Sequence, residues 1–306
     1  MSIDTFAVGS GDTDFGALRA YGDNPGAFPA MSEGAEYFTV AGRQGVIPYR
    51  DTGAQLHQSA GVIAPHDGQE PLLRAFVEFA AERRRKVVAT GLRRAEAQLF
   101  SRCGFTVNQA GSSYALYLPE FRLGGPRLAA LRLAVSRAWL AGVEAAEEAY
   151  EDSGTAAGEA GGRRVFTGRV GDETVARVTY LPVFGGRPGW LHHTAHRVPG
   201  APQGALEAVN LEAVRVLTAE RAQWLHLGFT PFAGLCAQYE LGSASVLAAR
   251  LLRLAAERGE WRHRAAERLA YQRTWDPHLV QPGYLAWQGG AAAGALGRLL
   301  ALAKSP

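Results

Sequence analysis

One succession of local patterns runs twice along this chain, and that repetition constrains the fold more than any other feature of it. In the first run, residues 36–40, 44–50 and 55–63 are rich in β-branched and aromatic side chains and are separated by the turn signals AGRQG and DTG, which predicts an antiparallel meander. After a loop at 65–69, residues 70–85 bring Leu72, Leu73, Phe76, Phe79 and Ala80 to one face at three- and four-residue spacing, the period of an amphipathic helix. Residues 87–90 read as a short buried strand, 94–103 as a helix closed by Gly104, and 105–108 and 113–118 as strands. The second run opens with a long helix over 128–150 and a flexible loop over 154–162 (GTAAGEAGG). Strands follow at 164–170 and 174–182 around Gly171–Asp172, and at 189–195. A helix at 205–221, a short strand at 224–227, helical stretches at 243–258 and 261–274, and a strand at 284–288 complete it. Two tandem copies of one α+β unit are expected: an arm at 1–33, a first domain at 34–124, a second at 125–290 that carries the site, and a tail at 291–306.

Composition narrows the class. A chain of 306 residues with 47% hydrophobic and 20% charged content is long enough for two globular domains. Two cysteines, Cys103 and Cys236, exclude a disulfide framework and a four-cysteine zinc site and fit a reducing compartment. The N-terminus has no basic segment followed by an apolar one, and no run of 18 uncharged apolar residues occurs, so a cytoplasmic protein, at most peripheral to a membrane, is expected. The small-residue stretch 289–303 is compatible with packing on the body, lying on a membrane surface or pairing with another subunit.

Charge is uneven. Residues 1–120 carry 11 Lys+Arg against 13 Asp+Glu, and residues 121–306 carry 21 against 16. That basic excess fits either a polyanionic partner or an arginine-rich solvated surface. Arg122, Arg127, Arg132 and Arg137 precede any acid in their segment. A spacing of five turns each by roughly 140° on a helix, so they spiral around it and form no single phosphate track.

The segment WLHHTAHR (190–197) is unusual by itself. It places His192, His193 and His196 beside Arg197, and in a strand His193 faces away from His192 and Thr194. A histidine can take a proton from an acceptor hydroxyl or amine near neutral pH. A pair of surface histidines is the alternative; a three-histidine metal site fails on spacing, and no metal is expected. Arg197 can serve a phosphate bidentately or end the strand in a salt bridge. APQG (201–204) leads into the next helix, where free N–H groups can face an anion or simply start the helix. Asn210 lies three residues beyond Glu207, on the same side.

LFSRCGFTV (99–107), a helix end, a glycine and an aromatic strand start, resembles the closing helix and strand of the Gcn5-related acyltransferase (GNAT) fold. The Q/R-x-x-G-x-G/A turn with which coenzyme A enzymes of that fold hold pyrophosphate occurs before neither the helix at 70 nor the helix at 205, so no cofactor is expected. Four further segments occur in order: 121–143 (FRLGGPRLAALRLAVSRAWLAGV), 197–214 (RVPGAPQGALEAVNLEAV), 224–235 (WLHLGFTPFAGL) and 275–287 (WDPHLVQPGYLAW). Together they resemble the cytosolic catalytic domain of lysylphosphatidylglycerol synthases, aminoacyl-tRNA-dependent transferases built of two GNAT-like units. The resemblance spans residues 36–288 and implies transfer of an amino acid from charged tRNA to a hydroxyl or amine of a small-molecule or phospholipid acceptor; an acyl-CoA-dependent N-acyltransferase or a non-catalytic binding module of the same fold is the alternative.

Taken with the residues' own chemistry, His193, His196 and Arg197 are expected as catalytic residues, Thr194, Gly204, Glu207, Asn210, Gly228 and Tyr284 as substrate-binding residues, and Arg127, Arg132 and Arg137 as tRNA contacts. Glu207 would hold the aminoacyl ammonium. Three departures stand out: Thr194 replaces the family's Asp, Glu207 its second Asp, and Gly283 the Arg before Tyr284.

Overall fold

A computed structural model describes residues 6–8, 12–31, 34–148, 162–258 and 262–304. The loop expected at 154–162 lies outside them except for Gly162. The first strands, β1 (Phe6–Val8), β2 (Glu36–Val40), β3 (Ile47–Asp51) and β4 (Gln55–Ser59), form an antiparallel meander. Helix α3 (His66–Glu82) then crosses to β5 (Lys86–Leu92), parallel to β4, and α4 (Arg94–Arg102) leads to β6 (Thr106–Tyr117). Between β1 and β2 lie α1 (Asp12–Tyr21) and the single turn α2 (Ala27–Ala30). The second half repeats the plan. Helix α5 (Ala129–Leu140) precedes the antiparallel strands β7 (Val143–Glu147), β8 (Arg164–Val170), β9 (Glu173–Val183) and β10 (Gly189–Arg197). Helix α6 (Ala205–Ala219) crosses to β11 (Trp224–Pro231), parallel to β10, and α7 (Val246–Arg258) and α8 (Arg262–Thr274) lead to β12 (Leu279–Trp287). A last helix, α9 (Ala292–Lys304), follows.

All twelve strands make one sheet, in the order β1-β2-β3-β4-β5-β12-β6-β11-β10-β9-β8-β7. The order is symmetric about its centre. Strand β12 sits between β5 and β6, and β6 sits between β12 and β11, so each half lends the other its last strand. The boundary expected near residue 124 therefore divides the chain but not the sheet.

The heptad-like spacing of α3 does what the sequence implies: Phe76 and Phe79 pack on Phe38 and Tyr49 with ring centroids 4.9–5.8 Å apart. Because side chains alternate along β5, Val87 and Ala89 join this core while Val88 faces the opposite one, with Leu285, Trp287, α7 residues Ala248 and Leu252, and α9 residues Ala295 and Leu299. The C-terminal stretch thus packs on the body through one face. The second half closes over Leu131, Val135, Phe166, Val178, Val209, Leu217 and Trp275.

Two local expectations are corrected. The helix expected over 128–150 ends at Leu140; Gly142, at φ +81°, turns the chain and Val143 pairs with Val170. The Ala/Glu-rich run beyond has good helix propensity, and strand pairing overrides it. The break expected between 108 and 113 is absent, because β6 runs through NQAGSS. Asn108 and Gln109 are buried but satisfied: Asn108 Nδ2 donates to Ser245 O and Glu240 Oε2, both at 3.1 Å, and Gln109 Nε2 to Gly234 O at 2.9 Å. Residue types that signal a turn in isolation are held in a central strand by partners from distant sequence.

The N-terminal segment is docked between the halves. Asp23 accepts from Arg93 Nη1 at 2.7 Å and from the Gly186 backbone N–H at 2.7 Å, and Asn24 Nδ2 donates to Glu96 at 2.8 Å.

Candidate active site in the second unit

Strand β10 hydrogen-bonds to β11 only over Gly189–Leu191. Beyond this stretch the register slips between His192 and Thr194 on the β9 side, and between His226 and Gly228 where β11 meets β6. Gly228 adopts φ +89°, and a Cβ there would lie 3.8 Å from His192 O. The parting of the two strands frees backbone carbonyls, and α8 supplies their partner. Gln272 Nε2 donates to Leu227 O at 2.9 Å and Gly228 O at 3.2 Å, while Thr230 Oγ1 donates to Gln272 Oε1 at 2.6 Å.

The same helix and the residue just after it turn Tyr271 and Trp275, four residues apart, into the second core. Tyr180 stands edge-on to the His192 ring with centroids 5.6 Å apart, His192 lies 5.7 Å from Tyr271, and Tyr271 6.2 Å from Trp275. The Tyr180 hydroxyl donates to Asn210 Oδ1 from α6. Four polar atoms in this cluster are buried without a hydrogen-bond partner: His192 Nε2, Asn210 Nδ2, Tyr271 Oη and Trp275 Nε1. Buried polar groups are normally satisfied, so four along one connected run of neighbours mark a place where the apo fold is polar beyond its own needs. Burial pushes the His192 imidazole down to about 4, with Arg268 and His193 adding to the effect against a hydrogen bond to its own backbone. The Tyr271 hydroxyl is pushed up by burial and then by the Glu207 carboxylate.

The residues singled out from sequence fall into four places. Thr194, Glu207, Asn210 and Gly228 border or enter this cluster from β10, α6 and β11. His193, His196 and Arg197 are exposed along the last turn of β10, and the side chains of His196 and Arg197 form no hydrogen bond or ion pair among the described residues. His193 is lowered from its ordinary value by burial of its ring and by Arg163. Gly204, at φ +84°, lets α6 meet α5: a Cβ would lie 1.9 Å from Ala134 O. Tyr284 is elsewhere, buried in the first unit's core with its hydroxyl donating to Tyr239 O at 2.9 Å. Sequence reasoning missed Tyr180, Tyr271 and Trp275; the available signal was the i, i+4 aromatic pair in an otherwise basic helix.

A cavity of about 270 Å³ adjoins the cluster. It is lined by Phe121, Arg122, Arg127, Leu128, Asp276 and Trp275. Arg127 faces Asp276 at 3.7 Å with its side chain 81% exposed. Arg132 Nη1 donates to Leu123 O at 3.0 Å and Gly125 O at 2.6 Å, and Arg137 Nη1 to Gln203 Oε1 at 3.3 Å. The three arginines occupy different sides of α5 and the loop before it, as their spacing implies. Among the described residues no three His, Cys, Asp or Glu groups are placed to hold a metal ion, and no helix is long and apolar enough to cross a membrane.

Two units, each an antiparallel meander joined through a helix to a parallel fifth strand, define an α+β fold of two tandem copies on one sheet. The chain belongs to the family of the phosphatidylglycerol lysyltransferase C-terminal domain, whose family model matches residues 15–160 and 155–287. Solved structures agree in fold. The C-terminal domain (DUF2156) of an Agrobacterium fabrum protein assigned as a lysylphosphatidylglycerol synthetase superposes with a TM-score of 0.74 at 17% identity, covering 95% of each chain. L-PGS from Bacillus licheniformis gives 0.73 at 15% identity over 99% of each. FemX gives 0.56 at 8% identity, over 92% of this chain and 96% of its own. No curated protein sequence matches the chain.

Proposed function

We propose that this transferase takes an aminoacyl group from aminoacyl-tRNA and passes it to a hydroxyl or amine of a small-molecule or phospholipid acceptor. The observation that carries the reading is the parting of β10 from β11 beyond Leu191, beside Gly228, with Asn210 and Glu207 acting on the adjoining tyrosines, in a chain of this family. The tRNA ester is already activated, so the protein needs only to orient donor and acceptor and to assist one proton transfer.

In this reading Glu207 holds the α-ammonium of the aminoacyl group. Arg197, exposed at the end of β10, donates to a phosphate or to the ester carbonyl as negative charge develops on it. His193 or His196 accepts the proton of the attacking hydroxyl or amine. Arg127, Arg132 and Arg137 meet the tRNA backbone beside the cavity that Trp275 borders. No cofactor is required, and the protein works in the cytoplasm or at the membrane surface.

The test is transfer from a mixture of radiolabelled aminoacyl-tRNAs in the presence of cell extract. RNase should abolish the activity and acetyl-CoA should not restore it. Activity that survives RNase and requires acetyl-CoA would overturn the reading.

A further inference from the structure

We propose that the second unit selects an aminoacyl group with an uncharged side chain, seated among His192, Asn210, Tyr271 and Trp275 while its α-ammonium meets Glu207; the inference rests on the aminoacyl transfer proposed above. The argument starts from what the four unpartnered atoms can bond. Asn210 Nδ2 and Trp275 Nε1 are donors, the Tyr271 hydroxyl can donate or accept, and His192 Nε2 belongs to an imidazole that burial keeps neutral. The Trp275 indole N–H faces the Tyr271 hydroxyl outside strict hydrogen-bond geometry, close enough to offset part of the rise that burial gives that hydroxyl. Every polar group facing the cluster from its own walls is therefore uncharged.

Among the described residues, the charged groups that act on the cluster stand at two ends. Arg268 acts on His192, and Glu207 acts on Tyr271. The opposed signs favour neither a cation nor an anion between them. With Glu207 taken by the α-ammonium common to all aminoacyl esters, a lysyl ammonium would be desolvated without a counter-ion, and a side-chain carboxylate would enter between two buried tyrosines already held neutral. An uncharged side chain meets aromatic faces and donors that lack partners. The cavity that Trp275 borders adjoins the cluster and gives room for the nucleotide end of the donor.

The test uses the full chain and amide-linked 3′-aminoacylamino-3′-deoxyadenosines carrying alanine, serine, tyrosine, lysine or glutamate, with binding measured by calorimetry. At least one uncharged derivative should bind about tenfold or more tighter than both the lysyl and glutamyl derivatives. Tyr271→Phe should weaken that derivative about two- to tenfold and leave the melting temperature unchanged or higher, because it removes a hydroxyl the apo fold leaves unpaired. Asn210→Asp should move the preference toward the lysyl derivative; if that variant does not fold, Tyr271→Phe still decides.

Tightest binding of the lysyl or glutamyl derivative overturns the selectivity while aminoacyl transfer stands. So does a Tyr271→Phe variant that melts earlier and binds as before, since the cluster would then be a structural network. If no derivative binds better than 3′-amino-3′-deoxyadenosine, the inference falls; if activity also survives RNase, the aminoacyl-tRNA reading falls with it.

Discussion

The helix that leads into the last strand does opposite things in the two units. In the first, α4 carries Glu96, which is 7% exposed and fully engaged. It accepts from the Arg93 backbone N–H at 2.7 Å, from the Arg93 guanidinium at 2.9 and 3.1 Å, and from Asn24 at 2.8 Å, while Arg93 also reaches Asp23 at 2.7 Å. Strands β4 and β5 stay paired from Gln55 to Ser59 beside it. In the second unit β10 and β11 pair over three residues, and α8 brings Tyr271 and Trp275 with polar atoms that nothing satisfies. One architecture, used twice, has its gap tied shut with charges in one copy and left wanting partners in the other. A satisfied buried network serves the fold; an unsatisfied one is retained for something the fold does not contain.

The largest expected effect lies in the tied unit. Arg93→Ala strands the buried Glu96 carboxylate, whose pKa burial already raises, and should cost about 3–5 kcal/mol of unfolding free energy by chemical denaturation. A loss below about 1 kcal/mol would place the pair with ordinary surface bridges and remove the contrast. Next comes acid. His192 stays neutral in the fold, with a pKa near 4 against an ordinary 6.5. Protons therefore bind the unfolded chain first, and the stability present above pH 6.5 is lost as pH falls toward 4.

That share is about 3 kcal/mol for His192, and His192→Asn should remove it from the pH profile. His57 and His226, pushed down to about 3 and about 4 by burial, should keep the rest of the acid loss in place. A profile unchanged in His192→Asn would show that the second cluster is wetter than its burial implies. Smaller again is the effect of Arg197→Ala, which should lower kcat/KM about 10- to 150-fold, the worth of one charge-assisted hydrogen bond, with unchanged stability. Arg197→Lys should recover part of it; full activity in the alanine variant would move the chemistry away from the end of β10. Arg127→Gln should do least, reducing the log–log salt slope of tRNA binding by about one.

The sequence makes the repeated plan legible because its signals are local: the alternation of β8 and β9, the 3.6-residue period of α3, the glycine after α4. The exchange of β6 and β12 is not legible, since no period within β12 says that Trp287 will pair with Thr106 and Val88. Tyr284 shows the cost. Its neighbours in sequence belong to the second unit, while its side chain lies against Arg94 in the first. At the candidate site, Glu207, Asn210 and Gly228 were readable through family motifs. Tyr180 and Tyr271 were not, because a buried aromatic on a strand or helix looks like any core residue until its neighbours, and for Tyr271 the partner its hydroxyl lacks, can be counted.

The exchanged strands also bear on how such a chain emerges from the ribosome. When β6 has been made, β5 and β6 are both present, but the strand that must lie between them follows the whole meander of the second unit. The nascent first unit holds two open sheet edges for that time, the kind of surface on which chains associate. Closing the sheet then joins segments very distant in sequence, a slow step for any β topology. Synthesis cannot deliver one finished unit and then another. The molecule acquires its centre last, and a chain released after α8 would carry two halves, each missing the strand that joins them.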